Sequence, residues 1–240
     1  MNTRLTQTFI GAMALAAVAS ISYAAMQSHT MHPYYALAVL ALAAATSRMK
    51  VKLPGIEGNM SVNLPFLLTA VVTLSAVEAV AIACLSTMVQ CWPKRGGKFK
   101  PEQMLFNVSM MGLAASLANL VWNAGWSKAD GASQPLMLAA TTAVFFLGQT
   151  VPVAAIIKLS QGESMGKTWA SIVQMSFPYF VLSAGVTSML NLVSARFGWQ
   201  AALVVFPIMY GVHYSYRFYF ARMARGLDSP ALARATAAGV

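Results

Sequence analysis

Glu78 differs in type from every residue around it. It lies in the apolar run 64–92, which contains no other charged residue. An ionisable side chain inside an apolar segment is costly, and by default it indicates a contact with a ligand or an ion. Ser75 precedes Glu78 by three residues, however, and this S-x-x-E spacing predicts a capping box at a helix start, where glutamine serves as well as glutamate. Both hypotheses stay open.

Further polar side chains could converge with Glu78 on a pocket at one side of a membrane. They lie near the ends of later apolar segments, as Asn119 and Asn191 illustrate. A tryptophan at such a depth fits the aromatic belt of a membrane interface equally well. The predicted ligand contacts are Glu78, Ser75, Asn119, Trp122, Asn123 and Asn191.

No group of residues has the spacing of a catalytic or metal site. The six acids are scattered over different segments. Cys84 and Cys91 are seven residues apart, about 10 Å along a helix, which is too far for a disulfide. The chain contains no P-loop and no G-x-G-x-x-G motif. We therefore expect a non-enzymatic protein without a cofactor or a metal.

The composition predicts an integral membrane protein. The chain has 240 residues, of which 58% are hydrophobic and 9% are charged, whereas soluble domains carry about 25% charged residues. We predict one polytopic domain, 1–225, and a short, disordered cytoplasmic tail, 226–240. Although the net charge is +10, the expected partner is the lipid bilayer and not nucleic acid, because lysine and arginine gather in cytoplasmic loops.

The charge distribution predicts the topology. The predicted fold is all-α, with six spans and a broken, re-entrant helical hairpin at 64–92; the spans are 7–27, 33–47, 102–125, 135–158, 167–193 and 199–221. With that hairpin, fourteen of the sixteen lysines and arginines share one side, and only Lys128 and Arg196 lie on the other. A single crossing at 64–92 would give six against ten. The positive-inside rule favours the hairpin and places both termini on the cytoplasmic side. Cleavage of the first helix as a signal peptide is an open alternative.

Residues 48–64 predict a short cytoplasmic β-hairpin. Apolar and polar residues alternate on both sides of the Pro54-Gly55 turn region, and a period of two is typical of strands. An extended loop is the alternative.

The last span mixes tyrosines with arginines. An interfacial anchor explains this pattern, with tyrosines at headgroup depth and arginines reaching the anionic leaflet. The alternative is an output helix that contacts a cytoplasmic partner. The predicted output residues are Tyr214, Tyr216, Arg217, Tyr219 and Arg222.

The chain resembles the N-terminal membrane sensor modules of bacterial GGDEF and HD-GYP signalling proteins over residues 30–225. The resemblance rests on four stretches, Ser61-Val-Asn-Leu-Pro65-Phe66-Leu-Leu68, Leu74-Ser-Ala-Val-Glu78-Ala79, Leu105-Phe106-Asn107 and Tyr214-Ser-Tyr216-Arg217-Phe-Tyr219. In outline the fold is similar to the substrate-binding subunits of ECF vitamin transporters. In the signalling family a catalytic domain follows the last helix. Only about fifteen residues follow Arg225 here, so the resemblance implies either a sensor module alone, which acts through a separate partner, or an orphan module with another role.

Three functions follow as expectations. The first is a sensory or ligand-binding module that recognises a small or lipophilic ligand and signals through its last helix. The second is the substrate-binding subunit of a vitamin-type transporter, with an ATPase partner. The third is an accessory subunit of a larger membrane complex.

Overall fold

The computed structural model describes residues 3–26, 31–52, 59–93, 98–124, 134–197 and 200–227. Eight helices and two short strands make up these ranges. The order is α1 (Thr3–Met26), α2 (Pro33–Ser47), β1 (Lys50–Lys52), β2 (Asn59–Ser61), α3 (Leu64–Thr73), α4 (Ala76–Cys91), α5 (Pro101–Asn123), α6 (Gln134–Gln161), α7 (Met165–Phe197) and α8 (Gln200–Leu227). The predicted all-α class is confirmed, and the predicted tail lies largely outside the described residues.

Four of the described helices, α1, α5, α6 and α7, are long and apolar enough to cross a membrane. The protein is therefore a helical membrane protein. The other two predicted spans are also helices, but α2 has only 15 residues. In α8, tyrosines and arginines interrupt the apolar sequence. The crossing of the membrane by α2 and α8 stays a prediction.

The run 64–92 is broken at Leu74 and Ser75, as the capping box predicts. α3 ends at Thr73 and α4 begins at Ala76. The hydroxyl of Ser61, just before α3, lies 3.2 Å from the side-chain oxygen of Gln90, near the end of α4. The ends of α3 and α4 away from the break thus lie close together; we call the two helices the hairpin, and its re-entry into the membrane stays a prediction.

α2 and α4 lie side by side and run in the same direction. Glu78, in the first turn of α4, contacts His32, the residue before α2. At the other end, Arg48, which follows α2, contacts the carbonyls of Val89 and Trp92 at the end of α4. Since α2 and α4 have nearly equal lengths, about 22 to 24 Å, the tip of the hairpin reaches the same level as the start of α2.

The predicted β-hairpin is confirmed as an antiparallel pair of strands. β1 pairs with β2 in the register Lys50 with Ser61, Val51 with Met60 and Lys52 with Asn59. Its turn region, residues 53–58, lies outside the described residues. Val51 is buried and belongs to the hydrophobic core, and β1 packs against α8.

α5 lies at the centre of the helix packing, with α1, α4 and α6 against it. Small residues let these helices approach closely. A Cβ placed on Gly112 of α5 would lie 2.9 Å from the Cys84 sulfur of α4, and one on Gly148 of α6 would lie 2.9 Å from the Cβ of Ala114. Close helix contacts at small residues are typical of membrane bundles.

Candidate functional site

Glu78 joins the N-terminal ends of two helices. Its Oε2 accepts hydrogen bonds from the backbone N–H of Ser75 at 3.1 Å and from the Ser75 hydroxyl at 2.7 Å. Its Oε1 accepts the backbone N–H of His32, the N-cap residue of α2, at 2.8 Å. The predicted capping box is confirmed, and the carboxylate also caps a second helix, 46 residues earlier in the chain.

The charge of Glu78 suits this position. A helix N-terminus carries a partial positive charge, so a carboxylate there is stabilised. Glu78 lies beside two such termini, and all of its described partners are donors. The side chain is only 8% exposed. A buried carboxylate needs compensating hydrogen bonds, and here the backbone and a serine supply them.

The break in the hairpin separates several backbone groups from their helical partners, and two groups of one such pair find new partners. In an uninterrupted helix the N–H of Ser75 would donate to the carbonyl of Val71. Instead the Ser75 N–H donates to Glu78. The Val71 carbonyl accepts from the side-chain amide of Asn119 on α5 at 2.9 Å. Glu78 and Asn119 therefore stabilise the two sides of the same break, and we call Glu78, Ser75, His32, Asn119 and Val71 the hairpin junction.

The other three predicted ligand contacts, Asn123, Trp122 and Asn191, make none of the described hydrogen bonds across the break. Asn123 is exposed one turn beyond Asn119, and its amide donates to the backbone and side-chain oxygens of Asn119. Trp122 and Asn191 are half-buried. Among the described residues, no hydrogen bond joins the side chain of Trp122 or Asn191 to Glu78.

The start of α3 is held by α7. The N–H of Leu64 donates to the hydroxyl of Tyr179 at 3.3 Å, and the Thr187 hydroxyl donates to the Pro65 carbonyl at 3.2 Å. Tyr179 is 2% exposed. Its ring meets the ring of Tyr216 on α8 edge to face, with centroids 5.9 Å apart. α7 thus connects the hairpin to the last helix.

The predicted output residues divide into two groups. Tyr216 faces the interior, where it also meets the ring of Phe220 at 5.8 Å. The other four, Tyr214, Arg217, Tyr219 and Arg222, are exposed. Buried Met209 and Phe220 lie on the same face as Tyr216, so the exposed residues follow the helical period and lie away from this packed face.

Sequence reasoning missed three parts of this arrangement: the His32 contact, the Asn119 contact with Val71, and Tyr179. A backbone N–H donor has no signal in the sequence. Asn119 does have one, because an asparagine in an apolar helix needs a partner for its amide. Tyr179 follows Pro178 in a long apolar helix, and no pattern there indicates a contact with a residue 115 positions earlier.

These features define the class of protein as a helical membrane domain with a broken hairpin braced by polar contacts. Neither a curated protein nor a solved structure matches the chain. The family model of MASE9 matches residues 12–218. The chain belongs to the MASE9 family, a family of membrane-associated sensor domains.

Proposed function

We propose that this protein is a non-enzymatic sensory module that recognises a small or lipophilic ligand and transmits its presence through α8 to a cytoplasmic partner. The observation that carries the proposal is the MASE9 match over residues 12–218. The match favours the sensory function over the transporter-subunit and accessory-subunit alternatives. The link to GGDEF or HD-GYP proteins and the likeness to ECF subunits remain part of the proposal.

The proposed topology has six spans and a re-entrant hairpin, with both termini cytoplasmic in a bacterial inner membrane. Its support is the distribution of charge. In the described helices and strands, Arg196 lies at the end of the bundle where the hairpin tip lies. The other lysines and arginines of the described ranges lie at the opposite end: Arg4, Arg48, Lys50, Lys52, Lys98, Lys100, Lys158, Lys167, Arg217, Arg222 and Arg225. By the positive-inside rule, this second end faces the cytoplasm.

The proposed ligand site lies at the outer end, around the hairpin junction. Glu78, Ser75 and Asn119 are hydrogen-bonded within the junction, so we assign them to the wall of the site. The more accessible Asn123, with Trp122 and Asn191, then makes the direct contacts. Amide groups and an indole ring suit a ligand with both polar and apolar parts.

The proposed path to α8 runs through α7. A ligand that moves α3 displaces Leu64 and Pro65, whose backbone groups bind Tyr179 and Thr187. Tyr179 packs on Tyr216 of α8, and β1, next to α2, packs on α8 as well. Each of these contacts is between buried or half-buried groups, so a shift of α3 has to be accommodated by α8.

Native mass spectrometry of the purified protein tests the ligand site. We expect a bound small molecule on the parent protein and its loss from Asn123→Ala and Asn191→Ala, with the melting temperatures of both variants equal to that of the parent once its ligand is removed. Tyr34→Ala, at an exposed position near the start of α2, is the matched control and should keep the molecule. Equal retention by all of these variants would place the ligand elsewhere.

A further inference from the structure

β1 and α8 form a seam with an excess of positive charge. Val51 of β1 and Phe220 of α8 are both buried in one hydrophobic core. Because side chains alternate along a strand, Lys50 lies on the face of β1 opposite to Val51. It is half-exposed. On α8, Arg217 and Arg222 are exposed beside the packed face.

Among the described residues, no carboxylate pairs with any of these three cations. The side chains of Lys50 and Arg217 form neither a hydrogen bond nor a salt bridge with a described residue, and the guanidinium carbon of Arg222 lies 5.0 Å from the ring centroid of Phe218. Over residues 48–61 and 217–228 together, the sequence has six basic and two acidic residues, a net charge of +4. Like charges on packed elements repel one another, and an anion at the seam would relieve that repulsion.

Arg48, two residues before Lys50, is a cation whose hydrogen-bond donors do have protein partners. Its guanidinium donates to the carbonyls of Val89 at 3.1 Å and Trp92 at 3.2 Å. A cation at a helix C-terminus complements the helix dipole. Arg48 is therefore engaged with α4, whereas the side-chain donors of Lys50, Arg217 and Arg222 have no hydrogen-bond acceptor among the described residues.

The aromatic residues beside the seam favour a lipid as the source of the anion. Tyr214, Phe218 and Tyr219 are exposed on the same part of α8. Tyrosines with an apolar body and a polar hydroxyl collect at headgroup depth in a bilayer. Arginine and lysine at that depth bind lipid phosphate, arginine with two parallel hydrogen bonds and lysine as a point charge.

We propose that β1 and α8 together form a binding site for the headgroup of an anionic phospholipid, with Lys50 and Arg217 as its principal phosphate contacts. A general attraction between basic residues and the anionic leaflet would need only one of the two elements, whereas this site needs both β1 and α8. It does not depend on the proposed sensory function. Lipid bound across the seam would fix the position of α8 relative to the β-hairpin.

Native mass spectrometry with added lipid tests this site. The full-length protein in a mild detergent is titrated with phosphatidylglycerol and, separately, with phosphatidylcholine of the same acyl chains. We expect the parent to retain phosphatidylglycerol in preference to phosphatidylcholine. The double variant Lys50→Gln/Arg217→Gln should bind phosphatidylglycerol about thirtyfold more weakly, since each of the two basic residues near an anionic lipid contributes on the order of 1 kcal/mol.

Two further variants test whether the loss of binding is specific to the seam and whether it comes from the charge of Arg217. Lys98→Gln/Lys100→Gln removes two exposed charges before α5, at the same end of the bundle but outside the seam, and should bind like the parent. Arg217→Lys keeps the charge and should recover most of the affinity lost in Arg217→Gln, which shows that the fold of the variants is intact. Equal weakening by the Lys98/Lys100 pair, no effect of Lys50→Gln alone, or equal binding of both lipids would each overturn the proposal.

Discussion

The two ends of the α2–α4 pair are held by opposite charges, and only one of the two charges is buried. At the N-terminal ends the Glu78 carboxylate accepts backbone N–H groups from both sides, and it is 8% exposed. At the C-terminal ends the Arg48 guanidinium donates to two carbonyls and is exposed. Each charge complements a helix dipole, but solvent can replace only the contacts of Arg48.

This difference in burial predicts a difference in energy. A buried donor that loses its acceptor costs about 1–3 kcal/mol, because nothing else can satisfy it. An exposed charge near a helix end contributes about 0.3–1 kcal/mol. The hairpin junction should therefore be sensitive to small chemical changes, and the Arg48 end should be tolerant of them.

Glu78→Gln is expected to have the largest effect, a loss of about 1–3 kcal/mol in the free energy of unfolding. The His32 N–H and the Ser75 N–H bind different oxygens of the carboxylate. An amide keeps only one of these oxygens, so glutamine cannot accept from both N–H groups. Thermal unfolding in detergent measures the loss. Glu102→Gln makes the same chemical change at an exposed position in the first turn of α5 and should change stability by less than about 0.5 kcal/mol. Equal melting temperatures for the two variants would contradict the shared cap.

Asn119→Leu should rank next, with a loss of about 1–2 kcal/mol. Leucine keeps the volume but leaves the buried Val71 carbonyl without its donor. Asn123→Leu, one turn further along α5 at an exposed position, is the control and should be close to neutral. Comparable losses in both variants would show that the Val71 contact does not stabilise the break.

Ser75→Ala should cost about 1 kcal/mol, the usual effect of removing an N-cap side chain. The Ser75 N–H keeps its bond to Glu78, so the loss should be smaller than that of Glu78→Gln. A capping box taken alone predicts the reverse order, since glutamine can replace glutamate in it. The order of the two melting temperatures therefore tests the His32 contact specifically.

Arg48→Ala should have the smallest effect, at most about 1 kcal/mol. Water can solvate the carbonyls of Val89 and Trp92 once the guanidinium is gone. Added salt should reduce the difference from the parent further, because screening weakens exposed charges. A loss as large as that of Glu78→Gln would mean that the two ends of the pair do not differ as their burial suggests.

The parts of the fold that depend on local chemistry could be predicted from the sequence. Ser75 and Glu78 indicated the break, because a capping box involves residues only three positions apart. The alternation around residues 50–61 indicated the strand pair for the same reason. Contacts between distant segments could not be predicted. The Glu78 contact with His32 and the Tyr179 contact with Leu64 depend on how the helices pack, and their sequence separations are 46 and 115 residues.

The candidate site shows the same division. The sequence indicates Asn119, Asn123 and Glu78 as ligand contacts because polar residues in apolar segments need partners. Their chemistry does not distinguish a ligand from another part of the chain. The structure gives Glu78 and Asn119 partners within the protein, so the ligand contacts are now expected at the more accessible Asn123 and Asn191. A residue type alone could not have separated these roles.

The central claim, that the state of the hairpin junction reaches the last helix, can be tested by one distance measurement. Spin labels are attached to cysteines at Lys98 and Arg222, two exposed positions at the same end of the bundle, after replacement of Cys84 and Cys91. Double electron–electron resonance then compares the parent with Glu78→Gln and with the exposed control Tyr34→Ala. We predict a shifted distance distribution for Glu78→Gln only. If Glu78→Gln lowers the melting temperature but leaves the distance distribution unchanged, the claim is contradicted. The hairpin junction would then stabilise the fold without affecting α8.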